Sequence, residues 1–600
     1  MIALQPATAP ERSGAELIIH LLERQGVDIV TGIPGGALLP LYEALGRSNG
    51  IRHILARHEQ AAGFIAQGMS RVTGKAGVCF ATSGPGVTNV VTALADAKLD
   101  SIPLVCIAGQ VPTAMIGTDA FQEVPTIDMV RPITKATFFV RHASELWHVI
   151  PEAFRLAESG RPGPVLIDVP KDVQLQLAED EPARADPAPE LPAPSGLAVS
   201  SHHEATPALA ASHLFDLATR MIQAAQRPVL YVGGGIVKSR SHAAIRRLAE
   251  RASLPVTSTL MALGCLPAGH ALDIGMLGMH GARYTNLIID ECDLLIAIGA
   301  RFDDRATGDP GKFAPHARII HIDIDSREFG KIKAADVPIC ADAGLAAQEL
   351  LKRVPPAQRP LWLARVNQLK HGHPLLTPDI QQLCSPYGIV QAVGALAPAD
   401  AIVTTDVGQH QMWVAQRFPF KRPDRWLTSG GLGTMGFGLP AAIGAALVAP
   451  EATTLCFTGD GSLLMNVQEL ATLAELDLNV KIVLLDNGAL GLVRQQQELF
   501  YQQRFVASLF SRPSRFVAIA QAFGVPALDL GEAPDPYAAL TRMLDERGPV
   551  LIRVPIDATD HVMPMVAPGA ANVDALDHAS ARATALRTMA PRAMERVEDL

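Results

Sequence analysis

The amino-acid sequence predicts an α/β protein of three doubly wound parallel-sheet domains, and two features of the chain predict it. Short apolar runs rich in Val, Ile, Leu and Ala, closed by Gly or Pro turns, alternate with longer stretches of helical character. A run that is apolar on both faces marks a parallel strand covered by helices on either side, and such alternation winds the strands into an open sheet. The alternation also stops and restarts twice, at Pro-rich or polar spans, so the 600 residues divide into several domains. The expected domains are 11–172, 208–353 and 387–570, with linkers at 174–207 and 354–386 and a tail at 571–600.

In chain order, residues 1–10 are rich in Ala and Pro and read as loose. Ser13 is an N-cap candidate for a helix over 15–25 that Gly26 ends. A strand over 27–30 runs into Gly32-Ile33-Pro34-Gly35-Gly36, followed by a helix over 38–45 and a short strand over 52–56. A helix begins within Arg57-His58-Glu59-Gln60-Ala61-Ala62. Residues 76–82 read as a strand, Ser83-Gly84-Pro85-Gly86 as a turn, 87–98 as a helix, and 103–109 and 164–169 as buried strands. The middle domain has expected strands at 228–232, 255–258, 294–299 and 318–324. The third has them at 401–404, 454–457, 481–485 and 550–554, with room for a helix over 463–478. The Ala- and Arg-rich residues after 570 read as a tail with no core of their own.

Composition narrows the function. A hydrophobic share of 48% and a charged share of 18% are those of a well-cored globular protein. A net charge of −9 without a basic run argues against nucleic-acid and membrane-surface partners. Seven scattered Cys without paired spacing read as reduced, buried thiols rather than a zinc or disulfide framework. The N-terminus has no basic-then-apolar signal pattern, so the expected location is cytoplasmic. The uncharged span 427–450 is long enough to suggest a membrane helix, but its glycines and Pro440 favour a buried turn and helix.

The chemistry concentrates in Thr458-Gly459-Asp460-Gly461-Ser462 and Asp486-Asn487-Gly488. Each follows an apolar run, so an acid ends one parallel strand and an amide the next, at the edge where open sheets bind ligands. Asp460 offers a carboxylate oxygen, Asn487 an amide oxygen, and Gly461 lets a diphosphate approach the backbone. Hard oxygen donors beside phosphates suit Mg²⁺, which keeps few protein ligands. The bland alternative is an ordinary strand-end turn. Other segments have bland readings too: Glu59 as a first-turn acid favoured by the helix dipole, His410 as a turn histidine, and 429–436 as close helix packing.

Gly459-Asp460-Gly461-Ser462 through Asn487 resembles the diphosphate and metal motif of thiamine-diphosphate enzymes. Met465-Asn466-Val467-Gln468-Glu469-Leu470 and Ala489-Leu490-Gly491-Leu492-Val493 resemble catalytic chains of the acetolactate synthase (acetohydroxyacid synthase) family. Gln495-Gln496-Gln497 with Leu499-Phe500-Tyr501 is similar to its bacterial isozyme I type, and the resemblance spans about 11–570. It implies pyrimidine-binding, FAD-binding and diphosphate-binding domains in that order. Glu59 would bond the aminopyrimidine as the catalytic acid. Gln409, His410, Asp460, Gly461, Ser462 and Asn487 would surround the diphosphate, and Gly433 and Met435 would meet the pyrimidine. Asp460, Asn487 and Ala489 would hold Mg²⁺.

The resemblance also implies FAD with no net redox part. Its contacts would be Arg161, Gly234, Thr259, Leu260, Met261, Leu277, Gly278, Met279, His280, Gly299, Arg301, Asp303, Asp304, Arg305, Asp323, Ile324 and Asp342. No Gly-x-Gly-x-x-Gly fingerprint supports this independently. Gly36, Ala37, Phe121, Gln122, Lys171, Arg305 and Gln496 would lie near substrate, Arg305 holding the second substrate's carboxylate as a planar fork. The implied reaction decarboxylates pyruvate and joins the two-carbon unit to pyruvate or 2-ketobutyrate, in branched-chain amino-acid synthesis. Sites would lie between chains of a homodimer or homotetramer, with a small regulatory subunit as further partner. One residue departs from the pattern: Gln496 stands where most relatives carry a tryptophan that favours 2-ketobutyrate. A flavin-using pyruvate oxidase on the same architecture is the alternative, and a non-catalytic assembly partner a third.

Overall fold

The computed structural model describes residues 12–178 and 212–578. The loose start at 1–10, most of the first linker and the tail beyond 578 lie outside the described residues. Two compact units form. The first takes the described residues up to 178 with 429–450 and 466–476, and the second takes 212–428, 451–465 and 477–578.

The first unit is built on a six-stranded parallel sheet of β1 (Ile29–Gly32), β2 (Arg52–Leu55), β3 (Gly77–Ala81), β4 (Leu104–Gln110), β5 (Ala136–Phe139) and β6 (Pro164–Pro170). The strand order is β2-β1-β3-β4-β6-β5. β3, β4 and β6 are buried along their whole length, as their unbroken apolar composition requires. Helix Gly14–Arg24 starts at a capping box in which Ser13 Oγ accepts from Glu16 N and Glu16 Oε2 accepts from Ser13 N. Helix Glu59–Thr73 closes on Gly74 in the left-handed region and packs tightly against helix Gly438–Val448. Glycines permit that approach: a Cβ on Gly68 would stand 2.3 Å from Ala441 O, and one on Gly444 2.0 Å from Ile65 O.

The second unit carries two six-stranded parallel sheets. One comprises β7 (Pro228–Val232), β8 (Val256–Ser258), β9 (Asp273–Met276), β10 (Leu294–Ile298), β11 (Arg318–Asp323) and β12 (Val337–Cys340), in the order β9-β8-β7-β10-β11-β12. The other comprises β13 (Ile402–Thr405), β14 (Trp426–Leu427), β15 (Thr454–Gly459), β16 (Val480–Asp486), β17 (Ala527–Asp529) and β18 (Val550–Pro555). Its order, β14-β13-β15-β16-β18-β17, repeats that of the first sheet.

Several sequence expectations need correction. The strands absent from the sequence reading, β5, β9, β12, β14 and β17, are all outermost in their sheets. An edge strand is short and half-covered, so its apolar run is interrupted, as by Pro338 in β12 and Gly275 in β9. The span 354–386, read as linker, contains helix Pro360–Gly372, which buries Trp362, Val366 and Leu369 against the β7–β12 sheet. Its single apolar stripe is diluted by Pro-rich and polar flanks. The helix expected over 463–478 breaks into Asp460–Leu463 and Glu469–Leu476. Asn466 occupies the break and donates from Nδ2 to Gly436 O at 2.7 Å. The first described residues of the expected tail are packed: Ala571 is buried and Asn572 Nδ2 donates to Ala306 O at 2.8 Å. Span 427–450 forms a buried helix after a turn, and no helix of the described residues is long and apolar enough to cross a membrane.

Candidate active site

In the third sheet, successive connections run to opposite sides at the β13/β15 boundary, which makes a crevice at the carboxyl ends of those strands. β13 delivers Asp406-Val407-Gly408-Gln409-His410, β15 delivers Asp460-Gly461-Ser462, and β16 delivers Asn487. Asp460 Oδ1 accepts from Gly461 N at 2.8 Å and Oδ2 from Ala489 N at 3.1 Å. Asn487 Oδ1 accepts from Ala489 N at 3.2 Å, while its Nδ2 donates to Gln409 Oε1 at 3.1 Å. Gln409 Nε2 in turn donates to Gln495 Oε1 at 2.9 Å and Asp560 O at 2.8 Å. Ser462 Oγ donates to Val407 O at 2.8 Å. This chain of amides fixes the oxygen of Asn487 beside the Asp460 carboxylate.

The electrostatics of the crevice suit a cation and an anionic ligand together. Burial, and then the neighbouring Asp486, push the Asp460 carboxyl up to about 7, the mark of negative charge held without enough compensation. Asp486 is answered by Arg553 Nε at 2.7 Å. Helix Gln409–Arg417 begins at Gly408 with no side-chain cap, and its amino end carries the positive end of the helix dipole. Gly459 makes room for the His410 ring, since a Cβ there would stand 2.9 Å from Nδ1. Burial lowers the pKa of His410 to about 3, and its Nε2 is buried without a protein partner. A buried ring nitrogen without a protein partner marks a place for a ligand atom beside His410, and Asp460 with Asn487 is fit to hold a hard cation. Among the described residues no group of three or more His, Cys, Asp and Glu is disposed to hold a metal.

In the first unit, Glu59 opens helix Glu59–Thr73 and is buried. His58 Nδ1 accepts from Gln60 N at 3.1 Å, and Asn89 Nδ2 donates to Glu59 Oε2 at 2.9 Å. The turn Ser83-Gly84-Pro85-Gly86 faces Gln122: a Cβ on Gly84, whose φ is +61°, would stand 2.9 Å from the Gln122 backbone. Phe121 is 89% exposed, Lys171 is half-buried at the start of helix Lys171–Leu175, and Ala37 O accepts from Gln174 Nε2 at 2.8 Å. Gly36 borders open space. Gly433 and Met435 sit on the 429–436 loop, Gly433 with φ +70°. Arg161 belongs to this unit, where its Nε donates to Ser101 Oγ at 2.8 Å.

The second sheet has its own reversal, between β7 and β10, in the strand order of dinucleotide-binding folds. Gly233-Gly234-Gly235 leaves β7 and Gly299 leaves β10, pressed together: a Cβ on Gly233 would stand 2.3 Å from Gly299 O. Thr259, after β8, carries a buried Oγ1 without a partner, beside Leu260 and Met261 in a 3-10 turn. Asp323 ends β11 and Ile324 follows it, while Asp342 caps helix Ala343–Arg353. Gly278 has φ +98°, and a Cβ there would stand 2.3 Å from Arg305 O. Asp303 caps Asp304–Thr307, and the exposed Arg305 places Nη1 3.7 Å from Met279 Sδ. His280 Nδ1 lies 3.2 Å from Pro564 O, and burial lowers its pKa to about 4. The crevice, its glycines and the orphaned Thr259 hydroxyl fit a dinucleotide-like cofactor.

Sequence reasoning missed Asn89, Gln495 and Arg553, which hold the named residues from a distance along the chain. Gln495 lay in view within the triple-glutamine run; Asn89 and Arg553 had no local signal.

Comparison with known proteins accounts for this arrangement. Family models of thiamine pyrophosphate enzymes match in three consecutive parts: the N-terminal TPP binding domain at 12–129, the central domain at 215–350 and the C-terminal TPP binding domain at 406–554. The class is thus that of thiamine pyrophosphate enzymes. The chain is 55% identical to the acetolactate synthase isozyme 1 large subunit of Escherichia coli (strain K12), over 95% of this chain and 98% of that protein. It is 46% identical to the acetolactate synthase large subunit of Parasynechococcus marenigrum (strain WH8102), over 94% and 91%. It is 45% identical to the chloroplastic acetolactate synthase 1 of Nicotiana tabacum, over 96% and 86%. The chain belongs to the acetolactate synthase family of thiamine pyrophosphate enzymes.

Proposed function

We propose that the chain catalyses decarboxylation of pyruvate and transfer of the two-carbon unit to pyruvate or 2-ketobutyrate, the first common step towards valine, leucine and isoleucine. The observation that carries this reading is the Asp460–Asn487–Gln409–His410 cluster at the third sheet's switch point, in a chain 55% identical to an acetolactate synthase subunit. Thiamine diphosphate, when bound, supplies the nucleophilic carbon and the electron sink for loss of carbon dioxide. The protein's residues supply position and charge. Asp460, the Asn487 amide oxygen and the Ala489 backbone hold Mg²⁺. Gln409, His410, Gly461 and Ser462 hold the diphosphate, and Gly433 with Met435 seats the pyrimidine. Glu59 holds and moves the proton at the pyrimidine nitrogen. Its burial and the Asn89 bond keep the carboxyl oriented. Arg305 holds the acceptor's carboxylate, with Gly36, Ala37, Phe121, Gln122, Lys171 and Gln496 around the substrates. The residues of the second sheet's crevice would hold FAD, and Arg161 is proposed separately as a flavin residue of the first unit. We place the enzyme in the cytoplasm as a homodimer or homotetramer with a small regulatory subunit; the names of the relatives, which are large subunits, support that partner.

Replacing Asp460 by Ala removes the only charged ligand of the set. Half-saturating Mg²⁺ and thiamine diphosphate are expected to rise about tenfold, the worth of one charge-assisted contact. Cofactor titrations that match the wild type would show that Asp460 is not the ligand. FAD is expected to copurify or to be required, yet to stay oxidised during anaerobic turnover of pyruvate, because carbon–carbon bond formation delivers no net electrons. Stoichiometric bleaching of the flavin band with acetate as product would favour a pyruvate oxidase.

A further inference from the structure

Helix Pro85–Asp100 carries Asp96 and Asp100 one turn apart, on one face, with both side chains buried. Like charges at this spacing repel, and buried carboxylates are tolerated only when partnered. Arg71, in the last turn of helix Glu59–Thr73, supplies one partner: its Nη2 lies 2.8 Å from Asp100 Oδ2 and 3.4 Å from Asp96 Oδ1. Four further donors come from a single loop. Asp100 accepts from the backbone N–H of Gly430 at 3.1 Å and of Gly431 at 2.7 Å. Asp96 Oδ2 accepts from the Ser429 hydroxyl and from Thr434 Oγ1, the latter at 3.0 Å. Ser429 Oγ also accepts from Thr434 N at 2.9 Å, which closes the loop on itself.

The approach is too close for any side chain at its centre. A Cβ on Gly431 would stand 2.8 Å from Leu99 Cβ and 3.0 Å from Asp100 Oδ1. Beyond the loop, Phe437 lies under the Arg71 guanidinium, 4.9 Å from ring centroid to Cζ, and meets Phe64 edge-on. The underside of the loop is therefore pinned at both ends of a glycine run, while residues 430–433 leave their outer face exposed. A run of glycines has little shape of its own, so its shape here is set by two carboxylates on another element.

We propose that Asp96 and Asp100, bridged by Arg71, are positioning residues that hold the 429–434 loop in the form needed to seat the cofactor's pyrimidine, acting through Gly433 and Met435. The inference rests on the reading that those two residues form that seat. The clamp costs two buried like charges, a cost that packing alone would not require, and beyond the Arg71 bridge it directs four hydrogen bonds to this one loop.

The test uses full-length protein and two variants. Asp100→Ala removes the acceptor of two loop amides. Thr434→Val removes one hydroxyl while leaving both carboxylates and Arg71 in place, so it stays informative if the first variant folds poorly. Thiamine diphosphate binding is measured by calorimetry with Mg²⁺ present, and loop mobility by hydrogen exchange of the amides at 429–436. The dissociation constant is expected to rise roughly tenfold for Asp100→Ala, the worth of one hydrogen bond to a charged group, and by less for Thr434→Val. Exchange at 429–436 should quicken in both while helix Pro85–Asp100 and the β1–β6 sheet keep their protection. Wild-type affinity with wild-type exchange in both variants would overturn the clamp. A wild-type protein that binds no thiamine diphosphate, or a Met435→Ala variant that binds it unchanged, would instead overturn the underlying reading of the seat, and the proposal with it.

Discussion

Glu59→Gln is expected to lower acetolactate formation by roughly a hundredfold to ten-thousandfold, the contribution of one positioned acid–base group, with the fold and cofactor affinity nearly unchanged. Glutamine keeps the size of the side chain, and its carbonyl oxygen still accepts from Asn89 Nδ2, the bond that orients Glu59 Oε2 at 2.9 Å. It also keeps the helix start, because the cap there belongs to His58. What it removes is a carboxyl able to hold and release a proton. The effect therefore falls on turnover rather than on binding, a split that steady-state rates and a thiamine diphosphate titration read separately. Near-normal acetolactate formation by the variant would remove Glu59 from the mechanism.

The second large effect concerns acceptor choice. Gln496 is half-buried on helix Gly491–Phe500, between two glutamines that are tied down. Gln495 bonds Gln409 and Val562, and Gln497 bonds Ser508 and Val506. Their fixed neighbours hold the helix while position 496 changes. A polar wall gains little from an added methylene, so the wild-type enzyme is expected to use pyruvate and 2-ketobutyrate almost in proportion to their concentrations. Gln496→Trp should shift the product ratio toward acetohydroxybutyrate by roughly tenfold to a hundredfold, the range one methylene in an apolar pocket supplies. A competition assay with both ketoacids measures this. A strong wild-type preference for 2-ketobutyrate, or an unmoved ratio in the variant, would locate the pocket elsewhere.

Much of the fold could be read from the chain because its central strands are buried on both faces. β7 carries an uninterrupted apolar run, and the sequence places its ends where the structure has them. Edge strands such as Trp426–Leu427 escaped, since a two-residue strand covered on one side leaves no periodic trace. Helix Pro360–Gly372 escaped for a related reason, its stripe of Trp362, Val366 and Leu369 being embedded in polar and Pro-rich sequence. The site was legible where chemistry is local, as in Gly459-Asp460-Gly461 and Asp486-Asn487, which end adjacent strands. It was not legible where a residue works through partners far along the chain. Asp96 and Asp100 look like ordinary solvated acids on a helix, and only the folded chain brings Ser429, Gly430, Gly431 and Thr434 to them. The same holds for Asn89 beside Glu59 and for Arg553 beside Asp486.

The central claim, carboligation on thiamine diphosphate rather than oxidation, is tested most directly by identifying the product from pyruvate alone with thiamine diphosphate, Mg²⁺ and FAD supplied. The account predicts acetolactate, one per two pyruvates consumed, with the flavin remaining oxidised. Acetate formed together with a reduced acceptor would contradict it.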